Sequence, residues 1–134
     1  MIQSELDDAL EYRNTTRVDE LLEELNSIGT MAARAASARG RGTAFAMVAE
    51  YEEALSWYRR SLDLYEELDD RALLAAVIGN MGSIHRMVGN YPEALACHSR
   101  ALAILEELGN KQGIARVTGN LAVIYDLTGD YPQA

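Results

Sequence analysis

Tyr51-Glu-Glu-Ala54-Leu55, Tyr91-Pro-Glu-Ala94-Leu95 and Tyr131-Pro-Gln-Ala134 stand forty residues apart, and this period constrains the fold more than any other feature of the chain. Laid over each other, residues 51–90 and 91–130 are identical at 15 of 40 positions, among them Leu62/Leu102, Gly79/Gly119, Asn80/Asn120 and Gly89/Gly129. Chance agreement at one offset is far lower. A fixed period of this size marks a stack of one supersecondary unit. Such a unit buries its apolar face only against its neighbours, so the chain must form an extended surface rather than a closed globule.

Within each repeat the apolar spacing is helical. Leu95, His98, Ala101, Leu102 and Leu105 fall on one stripe, as do Ile78, Met81, Gly82 and His85 one helix earlier. Gly89-Asn90 and Gly129-Asp130 suit helix C-termini. Pro92 and Pro132 suit the first turn of the following helix, and Asp70 and Asn110 suit N-caps. The unit therefore reads as helix A, tight turn, helix B, short turn. A helices are predicted near 31–48, 71–88 and 111–128, and B helices near 52–68 and 92–108. Ser4-x-x-Asp7 and Thr16-x-x-Asp19 read as capping boxes, which predict shorter helices near 4–12 and 17–28. Val18, Leu21, Leu22, Leu25 and Ile28 form the second one's apolar side. Residues 1–30 are thus expected to form a divergent helical pair or N-terminal cap, followed by repeats over 31–70, 71–110 and an incomplete 111–134.

The small and aromatic positions of the unit resemble the tetratricopeptide repeat. Gly82, His85, Gly89, Tyr91, Ala94, Leu95, His98, Ala101 and Leu102 follow that family's pattern. So do Gly42, Phe45, Ala49, Tyr51, Ala54, Leu55, Tyr58, Ser61 and Leu62 in the first repeat, and Ala122, Tyr125, Gly129, Tyr131 and Ala134 in the third. Ordinary members repeat about every 34 residues. The forty-residue form is similar to cell-polarity adaptors, kinesin light chains and the sensor regions of bacterial signalling proteins, including nucleotide cyclases and transcription regulators. The resemblance implies an all-α, right-handed α-solenoid of antiparallel helix pairs. It also implies a protein-interaction scaffold, or else a regulatory segment of a larger signalling enzyme or transcription regulator.

Charge is unevenly placed. The chain carries a net charge of −9, and residues 1–28 alone contribute −6. The B helices are acidic, at −3 over 52–68 and −2 over 92–108, whereas the A helices carry +3, +2 and +1. The resemblance puts A helices along a concave groove, which implies a basic groove in an acidic body. Solvation of charges that merely avoid the packed B-helix edge would give the same distribution. By the same resemblance the groove is lined by Ala36, Arg39, Thr43, Ala46 and Met47. Ala76, Asn80, Ser83, Arg86 and Met87 follow from the second repeat, and Arg116, Asn120, Val123, Asp126 and Leu127 from the third. Asn80 and Asn120 match asparagines that bond a bound peptide's backbone in related proteins. A primary amide both donates and accepts, so it can read a peptide N–H and C=O together. Arg116 lies one turn before Asn120 and matches an arginine that meets acidic ligand side chains, as its bidentate geometry allows. The first repeat has Gly40 where the asparagine is expected. The implied partner is a protein or an extended acidic peptide.

Other chemistry is weakly represented. His85, His98 and Cys97 are close in sequence space, yet both histidines occupy aromatic positions of the repeat and read as core fillers rather than metal ligands. Trp57 aligns with Cys97 and is expected to be partly exposed. No nucleotide loop, nucleophile–base pair or zinc spacing is present, so neither an enzyme nor a cofactor is expected. So acidic a chain is a poor ligand for duplex nucleic acid. No long apolar run suits a membrane span, and one cysteine suits a reducing cytoplasm.

Both ends depart from the period. Arg34, Ser37 and Arg41 replace Leu74, Val77 and Met81, and Glu20, Glu23 or Glu24 are their expected partners. The third repeat stops four residues into its helix B. The chain is therefore expected to be a fragment, or to cover Leu121, Ile124 and Tyr125 by homo-oligomerisation, either as a closed dimer or as a head-to-tail filament.

Overall fold

The computed structural model describes residues 15–129. Five α-helices succeed one another: α1 (Thr15–Met47), α2 (Tyr51–Leu68), α3 (Arg71–Met87), α4 (Tyr91–Leu108) and α5 (Lys111–Thr128). Among the described residues there is no strand. Each helix packs on the next in the chain, and α3 also touches α5. The two A helices that follow the period thus lie side by side, with B helix α4 packed against both, in an all-α solenoid.

The turns form where the sequence supplies their chemistry. The Asp70 side chain accepts a hydrogen bond from the Leu73 N–H at 3.1 Å, and Asn110 accepts one from the Gly113 N–H at 2.9 Å. Each satisfies a donor left free at a helix start. Pro92 lies in the first turn of α4. Gly89 closes the α3–α4 turn with φ +80°, in the left-handed region. Its equivalent in the first repeat is Ala49, held at φ +61° despite its Cβ. Pro132, Tyr131 and Ala134 lie outside the described residues.

One helix replaces two at the N-terminus. The break expected between 17–28 and 31–48 is absent, and α1 runs through it for 33 residues. Gly29 has no positive φ and stays helical. A helical glycine costs only about 1 kcal/mol relative to alanine, and no proline or cap follows to reverse the chain. Thr16 is itself helical, so it does not cap this helix. Leu21 is fully buried, but Ile28 is 46% exposed. The helix expected over 4–12 lies outside the described residues.

Helices approach closely where one residue is small. Ala54, Ala94 and Ala101 are fully buried. A Cβ on Gly42 would sit 2.7 Å from the Tyr58 ring, and one on Gly82 would sit 2.8 Å from His98 Nε2. The same pairing, a glycine on helix A beneath a ring on helix B, thus occurs in both complete helix pairs. His98 is fully buried and His85 is 9% exposed, so both fill the core as expected.

The third repeat corrects one expectation. Leu121 is 8% exposed and Ile124 is fully buried, while Tyr125 is half-buried. Leu121 and Ile124 correspond to Met81 and Ile84, which are buried in the same way. They turn toward the preceding helices, not toward the end of the stack. The open register of α5 is instead Ala115, Thr118 and Ala122, all exposed. Their equivalents Ala75, Ile78 and Gly82 are buried in the α3–α4 pair.

Candidate functional site

The A helices α3 and α5 enclose a cavity of about 340 Å³ lined by Ala75, Ala76, Gly79, Asn80, Ser83, Arg116, Val117 and Asn120. Five of these were expected from the sequence: Ala76, Asn80, Ser83, Arg116 and Asn120. Asn80 and Arg116 are exposed, and Asn120 is half-buried. Both amides are therefore open to a ligand, and neither makes a hydrogen bond with a described residue. Two primary amides and one guanidinium offer donors and acceptors of both kinds across a short span.

Gly79 was not singled out by sequence reasoning. A Cβ built there meets nothing within 4 Å, so packing does not require glycine at this position. Its φ is not positive either, so the backbone does not require it. What the missing side chain leaves is room in the cavity beside Asn80. The signal was available in the repeated Gly79-Asn80 and Gly119-Asn120 dipeptides.

The remaining expected groove residues distribute differently. Arg86 is half-buried, and its charge, after burial, helps hold the His98 imidazole below its ordinary pKa of 6.5. Met87, Val123, Asp126 and Leu127 are exposed and lie outside this cavity. Met47, Met87 and Leu127 occupy one position of the period, near the ends of the A helices, and are 81%, 56% and 54% exposed. In the first repeat the polar positions are already engaged. Arg39 Nε donates to the Tyr65 hydroxyl at 3.1 Å, and the hydroxyls of Thr43 and Tyr58 share a hydrogen bond of 2.9 Å. Ala36 is exposed and Ala46 half-buried. The structure therefore gathers the second and third repeats around one cavity and leaves the first outside it.

The cations of the A helices also separate. Arg71 pairs with Glu107 at 2.7 Å on the exposed surface, where such a pair contributes little. Arg34 and Arg41 do not pair with Glu20, Glu23 or Glu24. In the unbroken α1, Glu24 lies about 15 Å along the axis from Arg34. Both arginines instead line a second cavity with Trp57.

Among the described residues, no three of His, Cys, Asp and Glu are grouped to hold a metal. Burial, followed by the Glu93 charge, raises the Cys97 thiol pKa, which Arg100 only partly offsets. The thiol is accordingly a poor nucleophile. No described helix is long and apolar enough to cross a membrane. No curated protein matches the chain. Two family models, both described as tetratricopeptide repeat, match residues 42–72 and 73–134. Together with the stacked helix pairs, these matches establish that the chain belongs to the tetratricopeptide repeat family, whose repeats mediate protein–protein interaction and are typically non-catalytic.

Proposed function

We propose that the protein is an interaction scaffold that holds an extended, carboxylate-bearing segment of a partner protein between α3 and α5. The observation that carries this reading is the cavity where Asn80, Asn120 and Arg116 converge beside the open space at Gly79. In this reading the two amides bond the ligand's main chain, Arg116 takes a carboxylate, and Gly79 lets the ligand backbone approach. Arg86 adds positive potential, and Met87, Val123 and Leu127 accept apolar side chains at the rim. A mid-helix glycine costs about 1 kcal/mol relative to alanine. Neither packing nor φ requires glycine here, and a close ligand backbone would make use of the space it leaves.

Selection of a displayed random-peptide library on the full chain tests the reading. Acid-rich peptides should be enriched, and their affinity should fall as salt rises, because exposed charges are screened. Asn80→Ala with Asn120→Ala should abolish enrichment, and Arg116→Glu should remove the preference for acidic residues. Gly79→Ala should stabilise the fold yet weaken the selected peptides. Enrichment unchanged by all of these substitutions would refute the assignment.

A further inference from the structure

A second cavity lies away from the groove. It has a volume of about 450 Å³ and is lined by Arg34, Ser37, Ala38 and Arg41 of α1 with Trp57, Arg60, Asp63 and Leu64 of α2. The Arg41 guanidinium sits 4.8 Å from the centre of the Trp57 ring, and that of Arg60 sits 4.6 Å from it. Cation–π attraction holds a guanidinium over an indole within about 6 Å. One ring therefore collects two like charges, with Arg34 close by and Asp63 the single carboxylate of the lining. None of the three arginines makes an ion pair with a described residue. In a chain with 21 acidic and 12 basic side chains, this local excess of unpaired cations is not a consequence of composition.

The period shows what stands in this place elsewhere in the molecule. Arg34, Ser37 and Arg41 correspond to Leu74, Val77 and Met81, and in α5 to Ile114, Val117 and Leu121. The α3 set is buried, and of the α5 set Val117 and Leu121 are buried and Ile114 is half-buried. In these helices that register turns toward the preceding repeat. Arg60 corresponds to Arg100, and Arg100 is not free: it bonds Glu66 of the preceding B helix at 2.7 Å. Arg60 lacks that carboxylate because no described helix occupies the equivalent place. The face is thus a repeat-to-repeat surface rebuilt with arginines, and the occupant it fits is a helix carrying carboxylates.

We propose that the α1–α2 end face, centred on Trp57, docks an acidic amphipathic helix of a partner protein. That helix would lie where a preceding repeat's helix B would lie and give its carboxylates to Arg34, Arg41 and Arg60. Family matches begin at residue 42, so the repeat pattern itself assigns no role to Arg34, Ser37 or Arg41. The inference is independent of the groove between α3 and α5.

Trp57 is the sole tryptophan, so its fluorescence reports directly on this face. The full chain is titrated with a synthetic amphipathic helical peptide bearing glutamates one helical turn apart, and with its glutamine counterpart. The glutamate peptide should change Trp57 emission saturably. Arg34→Gln with Arg41→Gln should weaken it about tenfold or more, through loss of two charge-assisted contacts. Arg60→Gln, which leaves Arg41 on the ring, should weaken it separately. Asn80→Ala with Asn120→Ala should leave it unchanged, which separates this site from the groove. Equal binding of the glutamine peptide, or no saturable change, overturns the proposal. So does emission that depends on protein concentration without peptide, which would assign the face to a second copy. Emission of the dilute free protein that shifts with salt would assign it to the chain's own acidic residues and overturn it too.

Discussion

His98→Tyr should make the protein more stable, and its magnitude can be worked from the other helix pair. His98 is fully buried, and neither Nδ1 nor Nε2 has a hydrogen-bond partner. A neutral imidazole carries one donor and one acceptor, and each buried unsatisfied group costs about 1–3 kcal/mol. Tyr58 occupies the same position in the first pair. Its ring lies over Gly42 as His98 lies over Gly82, and its hydroxyl reaches Thr43 at 2.9 Å. The equivalent of Thr43 is Ser83, whose hydroxyl now donates to the Gly79 carbonyl at 3.3 Å. A tyrosine at 98 would thus remove two unsatisfied nitrogens and gain a hydroxyl partner. Added ring volume sets about 1–3 kcal/mol of strain against this gain. The net expectation is about 1–2 kcal/mol of stabilisation, or about 3–10 °C in Tm for a chain of this length.

The same substitution should flatten the acid side of the stability curve. Burial, helped by the Arg86 charge, lowers the His98 pKa below 6.5, so the folded state resists the proton. Above 6.5 both folded and unfolded chains carry neutral His98, and its contribution is fully present. As pH falls below 6.5 the unfolded chain binds a proton that the folded chain refuses, and stability is lost until the folded pKa is reached. Thermal melts by far-ultraviolet circular dichroism, at about pH 7.5 and about pH 5.5 on either side of the free histidine pKa, read both effects. The wild type should lose more Tm between the two than His98→Tyr does. Adding Ser83→Ala to His98→Tyr should remove about 1 kcal/mol of the gain. A variant less stable than the wild type, or one with the wild-type pH difference, would refute the reasoning.

Three further substitutions test the packing and the turns by the same melts. Gly82→Ala should destabilise by about 1–3 kcal/mol, because its Cβ would lie 2.8 Å from His98 Nε2 and 3.1 Å from Cys97 Cβ; stabilisation would show that the ring yields freely. Ala94→Leu overpacks a fully buried crossing and should cost about 1–3 kcal/mol, so an unchanged Tm counts against that crossing. Ala49→Gly should stabilise by about 0.5–1 kcal/mol, since it relieves a left-handed alanine at φ +61° at some cost in unfolded-state entropy; a lower Tm would contradict this.

The stacked helices were legible because the period repeats their causes. Asp70 and Asn110 recur as caps, Ala54 and Ala94 as crossings, and the boundaries of α3, α4 and α5 fall within a residue of expectation. The run of α1 through Gly29 was not legible. Gly89 and Gly29 look alike as letters, but Gly89 is followed by Asn90, Tyr91 and Pro92, which start a new helix, whereas Gly29 is followed by an alanine-rich stretch that continues one. A glycine ends a helix only when the next residues have somewhere else to go. Asn80, Asn120 and Arg116 were placed by the family resemblance, yet their convergence on one cavity depends on the side-by-side packing of α3 and α5, which no local pattern encodes.

Departures from the period separate packing from surface chemistry. Some positions keep both residue type and burial in successive repeats, as at Ala35/Ala75, Ala54/Ala94 and Ile84/Ile124. Changes within the buried class, such as Tyr58 to His98 or Tyr65 to Leu105, keep burial and alter only how polar atoms are satisfied. Changes that break the class are different. Leu74 and Met81 become Arg34 and Arg41, Cys97 becomes Trp57, and Ala76 becomes Arg116. A buried leucine position cannot accept an exposed guanidinium unless the neighbour that buried it is gone, because an unpaired buried charge costs several kcal/mol. Each arginine introduced in this way lines a cavity and lacks an ion pair among the described residues. Arg71 and Arg100, by contrast, each find a carboxylate on a neighbouring helix. Paired arginines reach a carboxylate on another helix of the stack, whereas the two proposed docking sites draw on the unpaired ones, on the α3–α5 groove and on the α1–α2 end face.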